Sequence, residues 1–501
     1  MPSDRRLHPL SFLFAIAGQL RQFLLPGLVV IVTAGAAGGE FEPWLMAVVI
    51  PVALLALGRA LSYRYRLDET ELVVRTGFVF RNERHIPYNR IQNIEAIQNV
   101  LHRLLAVIEV RIETGAGKED DATMRVVPVV AYREIRDRVL ASRPQAAISE
   151  APTEAPRQAA PIFSLSGREL LLSGFIENRS AVLIAATFGI VWELGLFDTA
   201  VNYVFPDRAL RRSFVRQTLR GVFGAGMPGL QTIGVGIGVL LLLFAAVTIV
   251  SMAWAYVRLY GFTLRRVGDD LRTEFGLLTR ISTTIPLRRI QTLTIFEGPL
   301  QRLFHRAAVK VETAGGDAGE EGATGREPLA PIIKRGDLGP LLAHVMREMD
   351  VEGIEWQRAA SGAFRREFRR SAIVASIFSA FFVVMLKVWT LALLAILLVV
   401  AAVHARRYVG ALGWATHDGT VFFRRGWVWR RTTMTRYSKM QVVALHASPF
   451  DRRMGMARVR VDTAGAARQS DRIDIPYVPV DLAHDLHRRL ATAASGTSFQ
   501  W

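Results

Sequence analysis

Three ungapped copies of one pattern run through this 501-residue chain, and they constrain its fold more than any other feature. The copies align on a glutamine: Gln92, Gln291 and Gln441. Fifteen residues upstream of each stands a glycine, Gly77, Gly276 or Gly426. A large apolar residue (Ile91, Ile290, Met440 in the order of the copies) flanks the glutamine, and a cation (Arg90, Arg289, Lys439) lies two residues before it. Leu101, Leu300 or Phe450 follows at nine residues, and Arg103, Arg302 or Arg452 at eleven. An acid–threonine pair closes each copy: Glu113-Thr114, Glu312-Thr313, Asp462-Thr463. One structural unit has been used three times, so the unit has to be explained before the chain.

Within a copy the pattern is mostly strand. Glu71–Arg75 alternates polar with apolar, and Val309, Val311 and Thr313 alternate with Lys310 and Glu312, the period of a half-buried strand. The glycine marks a turn, after which Phe78–Phe80, Leu277–Thr279 or Trp427–Trp429 restarts the chain. A last strand (Met124–Val130, Pro328–Ile333, Arg472–Val478) leads to a helix at Ala131–Leu140, Asp337–Met349 or Pro479–Leu490. About seven short strands and one helix predict a small β-barrel or sandwich capped by its C-terminal helix.

Between the copies lie apolar blocks. The chain is 51% hydrophobic yet 21% charged, with mean hydropathy +0.24. That balance comes from alternating segments: Phe23–Gly38, Pro43–Leu61, Ser180–Phe197, Leu230–Val257, Ala372–Leu386 and Val388–His404. Several approach the roughly 20 residues a membrane helix needs. They come in pairs, each pair directly ahead of a repeat. The expected fold class is therefore an α+β membrane protein: six transmembrane helices in three hairpins, each followed by one small domain.

The expected segments are an interfacial arm at 1–22, hairpins at 23–62, 180–257 and 372–404, and domains at 63–143, 258–350 and 405–491. Between them fall a Pro/Ala-rich linker at 144–161, an interfacial helix at 162–179, a basic connector at 351–371 and a tail at 492–501. Ser166, with Glu169 three residues on, opens the interfacial helix as a capping box. No cleavable signal peptide is evident in Met1–Gln22.

The net charge of +18 is almost all arginine, since only residues 118, 310, 334, 387 and 439 are lysine. Composition alone says little about a ligand; position says more. Arginines crowd the span ends that face the repeats, and the first and third hairpin tips offer only Lys387. By the positive-inside rule the domains and both termini face the cytoplasm of a bacterial inner membrane, in a multi-pass topology. Arg208, Arg212, Arg216 and Arg220 form a stripe on an outer, interfacial helix; a cytoplasmic loop with one span miscounted is the alternative. Arginines at span ends, not along one stripe with aromatics, argue against nucleic acid.

Paired spans followed by Arg289-Ile290-Gln291, Arg302-Leu303-Phe304 and Val309–Gly315 resemble the bacterial pleckstrin-homology-like membrane proteins of the YdbS/YdbT type. His8–Ser11 and Ser166–Arg179 also resemble segments that precede hairpins in that family. The resemblance implies a pleckstrin-homology-like (PH-like) fold in each repeat and carries no established activity.

For the repeated residues Arg90, Gln92, Arg103, Arg289, Gln291, Arg302, Lys439, Gln441 and Arg452 a structural role is expected. Gln291 would satisfy main chain at a barrel seam, and Arg302 would pair with Glu312. The rival is contact with a phospholipid headgroup, because arginine meets phosphate well. Arg64, Arg66, Arg265, Arg266, Arg406 and Arg407 follow the second span of each pair and are candidates for the membrane surface. Trp429 joins them, whereas Trp427 is expected in the core.

No catalytic residue, cofactor or metal site is expected. Without cysteine there are no disulfides, thiolate metal sites or cysteine nucleophiles. Gly224–Gly229 matches G-x-G-x-x-G but precedes a span, and Gly115–Lys118 lacks the rest of a P-loop. His484 and His487 share a helix face with no further ligand, Glu193 can pair with the basic outer helix, and Gly234-x-x-x-Gly238 reads as close helix packing. The chain reads as a non-enzymatic membrane scaffold. Its expected partners are anionic lipid headgroups and a membrane protein or a second copy. The alternative is a six-span channel or transporter regulated by its domains.

Overall fold

The computed structural model describes residues 5–6, 62–77, 81–88, 91–114, 122–141, 160–177, 229–313, 326–346, 354–382, 387–464 and 473–495. The apolar blocks at 23–38, 43–61 and 180–197 and the basic segment Arg208–Arg220 lie outside the described residues, as does Arg90.

Each repeat builds two three-stranded antiparallel sheets. The first module is preceded by β1 (Arg5–Arg6) and contains β2 (Arg64–Leu67), β3 (Glu71–Thr76) and β4 (Asn82–Pro87). Then come β5 (Ile91–Gln98), α1 (Val100–Leu104), β6 (Val107–Thr114), β7 (Ala122–Pro128) and α2 (Val129–Ala141). The second is preceded by β8 (Phe163–Ser164), α3 (Gly167–Ile176) and the long helix α4 (Gly229–Leu259). It runs β9 (Thr263–Val267), β10 (Asp270–Phe275), β11 (Arg280–Pro286) and β12 (Ile290–Glu297). It ends with α5 (Pro299–Leu303), β13 (Arg306–Thr313), β14 (Arg326–Lys334) and α6 (Leu338–Val345). The third follows the paired helices α7 (Ala363–Phe381) and α8 (Trp389–Ala411). Its elements are β15 (Gly413–His417), β16 (Thr420–Arg425), β17 (Arg430–Arg436) and β18 (Met440–His446), then α9 (Pro449–Arg453), β19 (Met456–Thr463), β20 (Ile473–Pro479) and α10 (Val480–Ser495).

The turn after the first two strands explains the repeated glycine. Gly276 and Gly426 have φ of +110° and +84°. A Cβ at Gly276 would stand 1.9 Å from the Thr279 carbonyl oxygen, and one at Gly426 2.1 Å from that of Trp429. Only glycine meets both conditions.

Among the described residues, six strands of each module come from the repeat itself. Residues from further upstream add to them: β1 pairs with β2, β8 pairs with β9, and Gln357 makes an isolated bridge to Trp414. Each module is thus completed by residues that precede its own strands in the sequence. The expected connector at 351–371 is also partly helix, because α7 begins at Ala363.

The modules are not separate beads. The second sheet of one continues into the first sheet of the next, in the orders β7-β6-β5-β11-β10-β9-β8 and β14-β13-β12-β17-β16-β15. The two joints share one register: Gln98 faces Arg280 at the first, and Glu297 faces Arg430 at the corresponding position of the second. Two end sheets remain, β1-β2-β3-β4 and β18-β19-β20.

Each module keeps its own core between its sheets. The first is built on Leu72, Tyr88, Ile112, Met124 and Ile135; the second on Phe262, Leu271, Leu293 and Leu342; the third on Val421, Met456, Val461 and Leu486. A buried side chain of this size stabilises by about 1.5–3 kcal/mol relative to exposure. Phe422 and Met434, from the third module's first sheet, enter the second module's core, so the second joint is apolar as well as hydrogen-bonded.

Candidate functional site

The repeated cations converge on the joints between modules. Arg103 donates through Nη2 to the Leu277 carbonyl oxygen, and Arg302 does the same to Val428, each at 2.7 Å. Both acceptors lie in the turn opened by the next module's glycine. Arg302 thus reaches across the joint, not to Glu312, whose carboxylate accepts from Thr292 Oγ1 at 2.9 Å. Lys439 Nζ donates to the Arg288 carbonyl oxygen, and Thr435 Oγ1 to that of Gln291. Burial, and then the neighbouring Arg436 and Arg288, hold the Lys439 ammonium below its ordinary value. Gln291 is buried, with Nε2 3.4 Å from the Arg289 carbonyl oxygen. Arg289 itself is engaged. Gln441 is exposed.

The same turns sit at the bases of the long helices. Leu277 N donates to Val257 O and Gly276 N to Tyr260 O, fixing the second module's turn on the end of α4. Trp427 Nε1 donates to His404 Nδ1 on α8 at 3.3 Å. Trp427 therefore packs half-buried on the helix instead of entering the core expected for it, because α8 passes beside the turn. The short helices α1 and α5 approach these turns through Arg103 and Arg302, and α9 is tied to the start of α7 by Arg366 Nε and Asp451 Oδ1 at 3.1 Å.

Large apolar side chains are exposed beside these turns. Leu104 is 81% exposed, Leu303 70% and Trp429 69%, and Leu101, Leu278, Leu300 and Phe450 are exposed beside them. A lone exposed leucine needs no explanation; one kept at the same place in successive repeats, next to a helix base, marks a contact surface. The sequence held the signal, because Leu101, Leu300 and Phe450 occupy one repeated position.

Helix α3 lies along the same base. Gly174 lets it touch α4, where an added Cβ would come within 2.6 Å of Met252 Cα, and Ser251 Oγ donates to the Gly174 carbonyl oxygen at 2.9 Å. Its N-cap is half of the expected box: Ser166 Oγ accepts from Glu169 N at 3.4 Å. The Glu169 carboxylate instead binds Arg306 at 2.9 and 3.1 Å, tying α3 to β13. Nothing described lies within 4 Å of a Cβ placed at Gly238, and the apolar block at 180–197 that precedes α4 lies outside the described residues.

Comparison with known proteins agrees with this architecture. The model of the bacterial PH domain matches residues 15–143, 219–349 and 372–494, which together make up well over half of the chain. The chain belongs to the bacterial PH domain family. It is also similar to the UPF0699 transmembrane protein YdbT of Bacillus subtilis (strain 168), at 23% identity over 473 residues, covering 90% of this chain and 91% of that protein. No solved structure matches. The three modules are thus PH-like domains of a transmembrane protein family, in a mixed α+β fold. The family is uncharacterised and is not a known enzyme family.

Among the described residues of this PH-domain protein, one helix, Trp389–Ala411, is long and apolar enough to cross a membrane; Phe244–Leu259 is a shorter apolar helix. The arginines expected at the membrane surface occupy different places. Arg406 and Arg407 are exposed near the end of α8, in line with exposed Arg365 and Arg369 on α7. Arg66 is bound to Asp68 at 3.0 Å. Arg266 donates to Gly268 O and His344 O, within its own PH domain. Arg64 and Arg265 lie in strands, facing Arg75 and Arg272 across the sheet. His487 Nε2 lies 3.2 Å from the Val443 carbonyl oxygen.

Proposed function

We propose that this chain is an integral membrane scaffold of the bacterial inner membrane. Three helical hairpins hold three PH-like domains on the cytoplasmic face, where they bind lipid headgroups or protein partners without catalysis. The observation carrying this reading is the coincidence of the exposed apolar rim with the bases of α4 and α8. Leu101, Leu104 and Leu278 at one joint, and Leu300, Leu303 and Trp429 at the next, are exposed beside the helix ends that this reading takes into the bilayer. The exposed cations Arg365, Arg369, Arg406 and Arg407 suit the anionic headgroup layer just outside it, where each is worth about 1 kcal/mol.

Because the chain has no native cysteine, topology can be read one residue at a time. A cysteine replacing Asp317 should resist an impermeant thiol reagent in intact cells and react in inverted vesicles. Labelling in intact cells would overturn the cytoplasmic assignment. Headgroup contact is tested with vesicles of anionic and of neutral lipid. Salt-independent, composition-independent association of the domains with the bilayer would remove the lipid-binding part of the reading.

A further inference from the structure

The two kinds of sheet edge that pair at the internal joints recur, among the described residues, as sheet ends. β18 is the third module's counterpart of β5 and β12, and β4 is the first module's counterpart of β11 and β17. Inside the chain these strands pair, β5 with β11 and β12 with β17. Among the described residues, β18 and β4 are each the last strand of a separate sheet.

We propose that β18 is a docking edge for the β4 strand of a second copy of this chain, so that the protein associates head to tail. This goes beyond the membrane-scaffold reading and does not depend on its lipid contacts. The first support is burial. Thr292 in β12 is 3% exposed, whereas Val442, one residue after the repeated glutamine just as Thr292 is, is 54% exposed. The glutamines differ in the same way, Gln291 buried and Gln441 exposed. The second is chemistry. Edge strands normally carry charge or proline against unwanted pairing, and Met440–His446 has neither. Charges on the opposite edge do not forbid the joint, since Arg430 of β17 pairs beside Glu297. The third is the repeated arginine. Arg103 and Arg302 each hold the next module's turn, while the matching Arg452 is exposed. His487 does not block the edge, because a carbonyl oxygen such as that of Val443 accepts twice.

The shared register of the internal joints fixes the expected one. Val442 should face Ile86 and Ala444 should face Arg84, the counterparts of Thr292–Thr435 and Thr294–Thr433. Such a contact is heterologous, so rotation between copies decides whether it gives a ring or an open row.

The test uses the full chain in isolated membranes with an added oxidant. Two differently tagged copies are co-expressed, one carrying Ala444→Cys and the other Arg84→Cys, and Thr294→Cys with Thr433→Cys in one chain serves as the positive control. A mixed-tag cross-link is expected, and it should be lost when Arg84→Cys is replaced by Asn82→Cys, or when Val442→Lys is added. Arg452→Ala should weaken it. Three results would overturn the proposal: no mixed-tag product while the control cross-links; a product that ignores register; or, with both cysteines in one chain, a cross-link at monomer mass alone, meaning that the chain closes on itself. Capture of a different protein by either cysteine in place of the second copy would also overturn it.

Discussion

Arg302 in the second module and Val428 in the third are 126 residues apart in sequence and 2.7 Å apart in space, guanidinium to carbonyl oxygen. The contact explains why an arginine recurs eleven residues after each glutamine: it fastens a module to its successor. Charge-assisted bonds of this kind contribute about 1.5–3 kcal/mol. Arg302→Ala should therefore lower the thermal stability of the detergent-solubilised protein, and Arg103→Ala should do so less, because its contact is more exposed. Arg452→Ala should leave stability unchanged. Equal losses from all three would mean that the arginine acts within its own module.

The rim should behave as surface. Leu104→Ser and Leu303→Ser remove side chains that bury little, so each should change stability by less than about 0.5 kcal/mol. Both should weaken the hold of the domains on the bilayer. The measurement is protease accessibility of the domain loops in inverted vesicles, with Trp429→Ala expected to add to the effect. A clear drop in melting temperature would instead place these residues in a protein contact.

Acid should loosen the third domain from its hairpin. Burial raises the Asp451 pKa, but hydrogen bonds from Ser448 and Arg366 outweigh it and hold the carboxyl below the ordinary aspartate value. A depressed folded-state value gives stability that is complete above the ordinary value, about 3.9, and is lost as pH falls through the lower one. Unfolding followed by tryptophan fluorescence should steepen below about pH 4. Asp451→Asn should flatten that limb and cost about 1–3 kcal/mol at neutral pH.

Gly174→Ala should part α3 from α4. The new Cβ would meet the Met252 main chain, which cannot move aside as a flexible side chain would. Overpacking of this kind costs about 1–3 kcal/mol. Gly238→Ala, where nothing described lies within 4 Å of the new Cβ, is the control, and equal effects from the two would show that helix propensity, not packing, decides.

Much of this was legible in the sequence. The repeats marked the modules, the alternation of Val309, Val311 and Thr313 marked β13, and Ser166 marked the start of α3. β12 was harder, since six consecutive residues from Ile290 to Ile295 are buried. That pattern is not an alternation, because Leu293 and Ile295 enter the second module's core while Thr292 and Thr294, on the other face, are buried in hydrogen bonds to Glu312 and Thr433. Nor could local spacing reveal that Arg302 points away from Glu312, since its acceptor lies in another copy. The extra strands Arg5–Arg6 and Phe163–Ser164 were hidden because two residues carry no period.

Those extra strands have a consequence for biogenesis. Each is synthesised well before the rest of its module, so neither of these modules can be completed until the intervening residues have been made. The edge a domain then presents on β5 or β12 stays raw until the next domain emerges from the ribosome to cover it. Maturation becomes vectorial, from the N-terminus onward. A nascent chain arrested after Val345, with β12 still uncovered, should be more readily degraded or captured by chaperones than one arrested after Tyr437.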